Sequence, residues 1–176
     1  MRLRSRGTAA AVGETFRQLG GDPALDVAAA LTEAEACGQV RRRGEEHRRS
    51  LSTAGEAELG ALLAHETDRA GRADLATAYE AFLPVNRAFL GVLADPGDRR
   101  AAVVELVARL GPVLDALAER LPRFAAYPER FEHALAQAME DPIWIESPRV
   151  DSVHTVWFEL HEHLLATLGR ERTEER

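Results

Sequence analysis

At 176 residues, 45% of them hydrophobic and 29% charged, the chain can bury the core of one medium domain or two small ones. One cysteine, Cys37, excludes an intrachain disulfide; no apolar run suits a membrane-spanning helix, and "MRLRSRG" lacks the apolar stretch of a signal peptide, so a cytoplasmic protein is expected. The net charge of −7 excludes a uniform coat for nucleic acid, but it is unevenly spread: residues 1–50 hold nine arginines against seven carboxylates, +2, and residues 51–176 thirteen against twenty-two, −9.

In chain order, "GDPALDVAAALTEAEACGQV" predicts a helix. Asp22 stands at the N-cap and Pro23 at the first helical position, with Leu25, Ala28, Ala29, Leu31 and Ala36 at mostly helical spacing and a stop at Gly38. "QVRRRGEEHRRSLST" then predicts a short hairpin, in which Gly44 and two glutamates turn the chain between two basic runs. "STAGEAELGALLAHE" opens another helix, capped by Ser52 or Thr53, with Glu56 in the capping-box position relative to Thr53. All 22 basic residues are arginine, and Arg41, Arg42, Arg43, Arg48 and Arg49 sit in this hairpin.

The phrase "CGQVRRRGEEHRRSLSTAG" resembles the segment that joins recognition helix, wing and following helix in bacterial winged-helix regulators of the MarR-like type. The resemblance implies a winged-helix domain at residues 1–52, its first helix trimmed or incomplete, a helix at about 8–19, a recognition helix at about 23–37 and a wing at about 39–52. Double-stranded DNA would be the partner. The recognition helix offers Asp22, Asp26, Thr32, Glu33 and Glu35, none of them Arg, Asn or Gln, the types that pair best with purine edges. Contact therefore falls to the five wing arginines, on phosphates or in a minor groove; the alternative is a solvated hairpin with no partner.

From residue 53 to 176 the apolar period is helical throughout. Helices are expected at about 54–70, 73–94, 98–120, 122–139 and 151–168, with breaks at Gly71, at Asp95-Pro96-Gly97, at Leu121-Pro122 and in "EDPIWIESPRVDS". The fold class is mainly α: an N-terminal winged helix-turn-helix with a small β-hairpin, then a C-terminal helical bundle. Pro84 and Pro112 fall inside predicted helices, where kinks are expected. Asn86 lies on the apolar stripe of "YEAFLPVNRAFL" and must either cap carbonyls freed by Pro84 or contact a ligand.

The last helix, "DSVHTVWFELHEHLLATLG", is the richest segment. At ~100° per residue, Asp151, His154, Phe158, His161 and Leu165 share a sector, Trp157 lies beside it, and His163 points to solvent. Asp151, His154 and His161 are candidates for a hydrogen-bond network, a small-molecule pocket or, in an enzyme, catalysis. With Asn86, Trp157 and Phe158 they form the candidate ligand site. No metal is implied, because the two histidines on that face are ~10 Å apart along the axis and "HEHLL" lacks the H-E-x-x-H spacing.

"FLPVN" and this last helix resemble an actinobacterial family of winged-helix, MarR-type transcriptional regulators, whose last helix reads like "DSYHTVWFELHEDLLATLG". This chain departs at Val153 and His163 and has a shorter segment after "FLPVN". The resemblance implies a regulator whose bundle dimerises, senses a small-molecule effector, or both. Two other readings stay open, a small enzyme on a regulator-derived scaffold and a protein-binding adaptor. The cofactor is unassigned.

Overall fold

The computed structural model describes residues 9–18, 21–43, 48–95 and 97–171. Helix α1 (Ala9–Gln18) packs on α2 (Val27–Ala36). Helix α2 begins four residues later than Pro23, because Asp22 closes a turn instead: its Oδ1 accepts the Ala24 N–H at 2.8 Å. The cap passes to Asp26, whose Oδ1 accepts from Ala29 N–H at 3.0 Å. At the far end the Gln39 N–H reaches back to the Ala34 carbonyl at 2.9 Å across Gly38, whose φ of 72° is a left-handed conformation open to glycine at little cost.

The chain then enters an antiparallel hairpin, β1 (Val40–Arg43) and β2 (Arg48–Leu51), with Val40 opposite Leu51, Arg41 opposite Ser50, Arg42 opposite Arg49 and Arg43 opposite Arg48. The turn expected at Gly44, like "MRLRSRG" and the end of the charged tail, lies outside the described residues.

Helix α3 (Thr53–Ala70) follows with no linker. Ser52 is its cap: the hydroxyl oxygen accepts from Gly55 N–H at 3.0 Å and donates to the Gly38 carbonyl at 2.6 Å. Glu56 therefore sits one residue beyond the capping-box position. The same joint explains Gly55, since a Cβ there would run into the carbonyl oxygen of Gln39. Most of the first three turns of α3 face solvent, Leu59 and Leu62 included. Its last turns enter the bundle, where the fully buried Thr67 hydroxyl donates at 2.7 Å to the Thr167 carbonyl at the far end of the chain.

The bundle consists of α4 (Arg72–Ala94), α5 (Arg100–Arg120), a 3₁₀ segment (Pro122–Ala126), α6 (Tyr127–Glu140), α7 (Ile143–Glu146) and α8 (Val153–Leu168). The helix expected at 122–139 divides because Pro122 starts a 3₁₀ turn and Pro128, at the head of α6, needs no partner for its missing N–H. Helix α7 is a single turn inside the segment read as loop. Pro84 and Pro112 lie on exposed sides of helices that continue through them. The core joins Leu75, Phe82 and Phe89 of α4, Leu110 and Leu117 of α5, Phe131 of α6 and Trp157, Leu160 and Leu164 of α8. Each such side chain contributes roughly 1.5–3 kcal/mol by burial. No helix among the described residues is long and apolar enough to cross a membrane.

Candidate functional site

Helix α8 buries Val153, Val156, Trp157, Leu160, His161, Leu164, Leu165, Thr167 and Leu168. This arc centres on Trp157, Leu160 and Leu164, about a quarter turn from the sector centred on His154 and Phe158. The physical reason is that α8 is a central helix: α4 covers one flank while the 3₁₀ segment and α6 cover the other. A helix covered on two flanks has no single buried face for its spacing to reveal.

On the α4 flank, Trp157 stacks on Phe89 with ring centroids 3.9 Å apart and planes 7° from parallel. Its indole N–H donates to Asn86 Oδ1 at 3.0 Å, with both residues buried. Asn86 thus serves the tryptophan and not a carbonyl freed by Pro84. His161 is buried with its ring 5.1 Å from Phe82 and 6.3 Å from Tyr79. His154 is half-buried against Phe89, 6.0 Å between centroids, near enough to Glu146 to help Arg99 hold that carboxyl below its ordinary value against the opposing effect of burial. Phe158 is half-buried.

Asp151 does not join this set. It lies before the Ser152 cap and faces Arg130 of α6, which donates to its two oxygens at 2.8 and 3.2 Å and to Glu159 at 2.7 Å. Burial opposes the charge of Arg130, but the two carboxylates prevail and its pKa is raised. The expectation that Asp151, His154 and His161 share an interior face beside Asn86 is thereby corrected: His161 is buried, His154 lies at the edge, and Asp151 belongs to the opposite flank.

His163 is corrected more sharply, because it does not point to solvent. Its ring stacks on Phe124 at 4.5 Å, Arg123 Nε–H donates to its Nε2 at 2.9 Å, and its Nδ1 lies 3.1 Å from the Tyr127 hydroxyl. Since the guanidinium can only donate, Nε2 carries the lone pair and Nδ1 carries the proton, which it donates to Tyr127. Burial first, and the charge of Arg123 second, push the His163 pKa down to about 4. Arg123 also pairs with Glu66 of α3 and donates to the Thr167 hydroxyl at 2.9 Å, so one guanidinium links α3 to α8. The signal was present in two ladders, Glu159, His163 and Thr167 on α8 and Arg123, Tyr127 and Arg130 on the facing segment.

These arrangements are cross-linked by their own partners and form the seam of the bundle. Among the described residues no three His, Cys, Asp or Glu side chains form a group able to hold a metal ion.

The basic hairpin is different. Arg41 and Arg48 are exposed. Arg42 and Arg49, opposite each other in the register, both reach Glu35 of α2, at 2.7 and 2.5 Å. Of Arg43 only the backbone is described. The solvent side of α2 carries Ala28, Ala29, Thr32, Glu33 and Ala36.

Compared with protein-family models, curated proteins and solved structures, the chain matches none of them.

Proposed function

We propose that the chain is a duplex-DNA-binding transcriptional regulator. Helix α2 and the β1–β2 hairpin would act as the winged-helix reader, and the bundle would dimerise the chain, sense a small-molecule effector, or both, in the cytoplasm. The observation that carries this reading is the hairpin. It directly follows a capped helix, displays exposed Arg41 and Arg48, and is braced to that helix through Glu35. Guanidiniums on a braced two-stranded arm suit backbone phosphates. The small and acidic outer surface of α2 suits base edges poorly.

Binding is accordingly weak, largely indifferent to sequence and steep in salt. The test is a fluorescence-anisotropy titration of the full chain against a labelled duplex between about 50 and 200 mM salt. Affinity that falls along a straight line in log salt, and is lost when Arg41, Arg42, Arg43, Arg48 and Arg49 are all replaced by alanine, supports the reading. Unchanged binding by that variant, or no binding by the parent at low salt, rejects it.

A further inference from the structure

We infer that Glu35 divides the wing arginines between two tasks: it clamps Arg42 and Arg49 to α2 as positioning residues, and leaves phosphate contact to the other side of the hairpin, the side of Arg41. The inference rests on the duplex-binding reading above.

Side chains alternate across a strand, and the register puts Val40, Arg42, Arg49 and Leu51 on one side of the hairpin with Arg41, Arg48 and Ser50 on the other. Two like charges directly opposite each other destabilise a strand pair. Arg42 and Arg49 form such a pair, and Glu35 lies where it can offset the repulsion: Oε2 accepts from Arg42 at 2.7 Å and Oε1 accepts from Arg49 Nε–H at 2.5 Å. Both carboxylate oxygens are thereby committed.

The contact is also sheltered. The side chains of Arg49 and Glu35 keep only 12% and 19% of their exposure, whereas Arg42 keeps 47%. The Glu35 carboxyl is held below its ordinary range, first by the Arg42 hydrogen bond and against the effect of burial, so it stays ionised at neutral pH. One carboxylate on α2 thus ties both strands to the helix that precedes them and fixes the angle at which the opposite side meets a backbone.

This division predicts different responses from arginines of the same type in the same hairpin. Each phosphate contact adds about 0.9 to the slope of log affinity against log salt, or roughly a three- to fourfold affinity change for a fourfold change in salt. In anisotropy titrations of the full chain, Arg41→Gln should flatten the slope by about that amount per wing. Arg42→Gln, at an exposed position that leaves the Arg49–Glu35 contact in place, should leave the slope unchanged. Glu35→Gln, which removes the carboxylate charge and leaves one amide oxygen where two oxygens accepted, frees at least one guanidinium and should steepen it, whereas a residue with a merely structural role would weaken binding without steepening the slope. A circular-dichroism melt of each variant separates loss of fold from loss of a contact.

The division is overturned if Arg42→Gln flattens the slope as much as Arg41→Gln, or if Glu35→Gln does not steepen it. Both results presuppose a parent chain that binds duplex, so they are distinct from failure of the duplex reading, in which the parent itself does not bind.

Discussion

His163 should make the protein acid-sensitive from about pH 6.5 downward, a loss that begins above the range where carboxylates titrate. In the folded chain its Nε2 faces an Arg123 donor and cannot take a proton without losing that bond and setting two cations side by side. Its pKa is about 4 against 6.5 for an ordinary histidine. The unfolded chain therefore binds this proton as the pH drops through about 6.5, while the folded chain resists until about 4. Between those values the unfolded state holds the extra proton, so stability is lost as pH falls. At ~1.36 kcal/mol per pH unit the full loss is about 3 kcal/mol, a large part of the ~5–15 kcal/mol that holds a typical domain folded. His163→Gln provides the comparison, because a glutamine oxygen can accept the Arg123 N–H and does not titrate. Urea unfolding of both chains at intervals from about pH 7 to about pH 4 should show the variant gaining about 3 kcal/mol on the parent across the series. Carboxylates that protonate in that window act on both chains alike. Parallel curves, with a constant gap between parent and variant, would refute the placement of His163 as a neutral acceptor under Arg123.

Removing the Asn86 side chain should cost more than its size suggests: Asn86→Ala leaves the buried Trp157 indole N–H without its acceptor, a loss of ~1–3 kcal/mol by denaturant unfolding, and a change within a few tenths would mean that the pair is not closed. Glycines in α3 should split in sign. Gly60 is exposed with nothing within 4 Å of an added Cβ, so Gly60→Ala should raise stability by up to ~1 kcal/mol. Gly55→Ala should lower the melting temperature despite the better helix former, because its Cβ meets the Gln39 carbonyl; a gain at both positions would show that the joint between hairpin and α3 is loose.

Most helix bounds were legible because their breaks are local chemistry: a proline at 122, a glycine at 38 or 71, a serine at 52 whose hydroxyl can cap. The hairpin was legible for the same reason, as two short basic runs around a glycine. The miss at this level was a slip between two candidates in one segment, Asp22 for Asp26, where residues of the right type compete and only the path of the chain decides between them; the same competition left Ser52 and Thr53 open, and the cap is Ser52.

The candidate site failed to follow from the sequence for a different reason. Helical spacing fixes which residues of α8 share a direction but not which directions are covered, and α8 is covered on two flanks by segments of unlike character. On one side the apolar spacing of α4 announced a core, and the rule that a buried amide must find a partner held for Asn86. The partner, Trp157, stands 71 residues away and could not be named from local sequence. On the other side Arg123 and Arg130 look like solvated residues until α6 is laid along α8; then Asp151, Glu159 and His163 become their acceptors. The same holds for Glu35, read from sequence as a poor base reader and found as the acceptor shared by two hairpin arginines. A charged residue's task is set by what faces it, so pairs of opposite charge far apart in the chain are where function is hardest to read from sequence and where single substitutions are most informative.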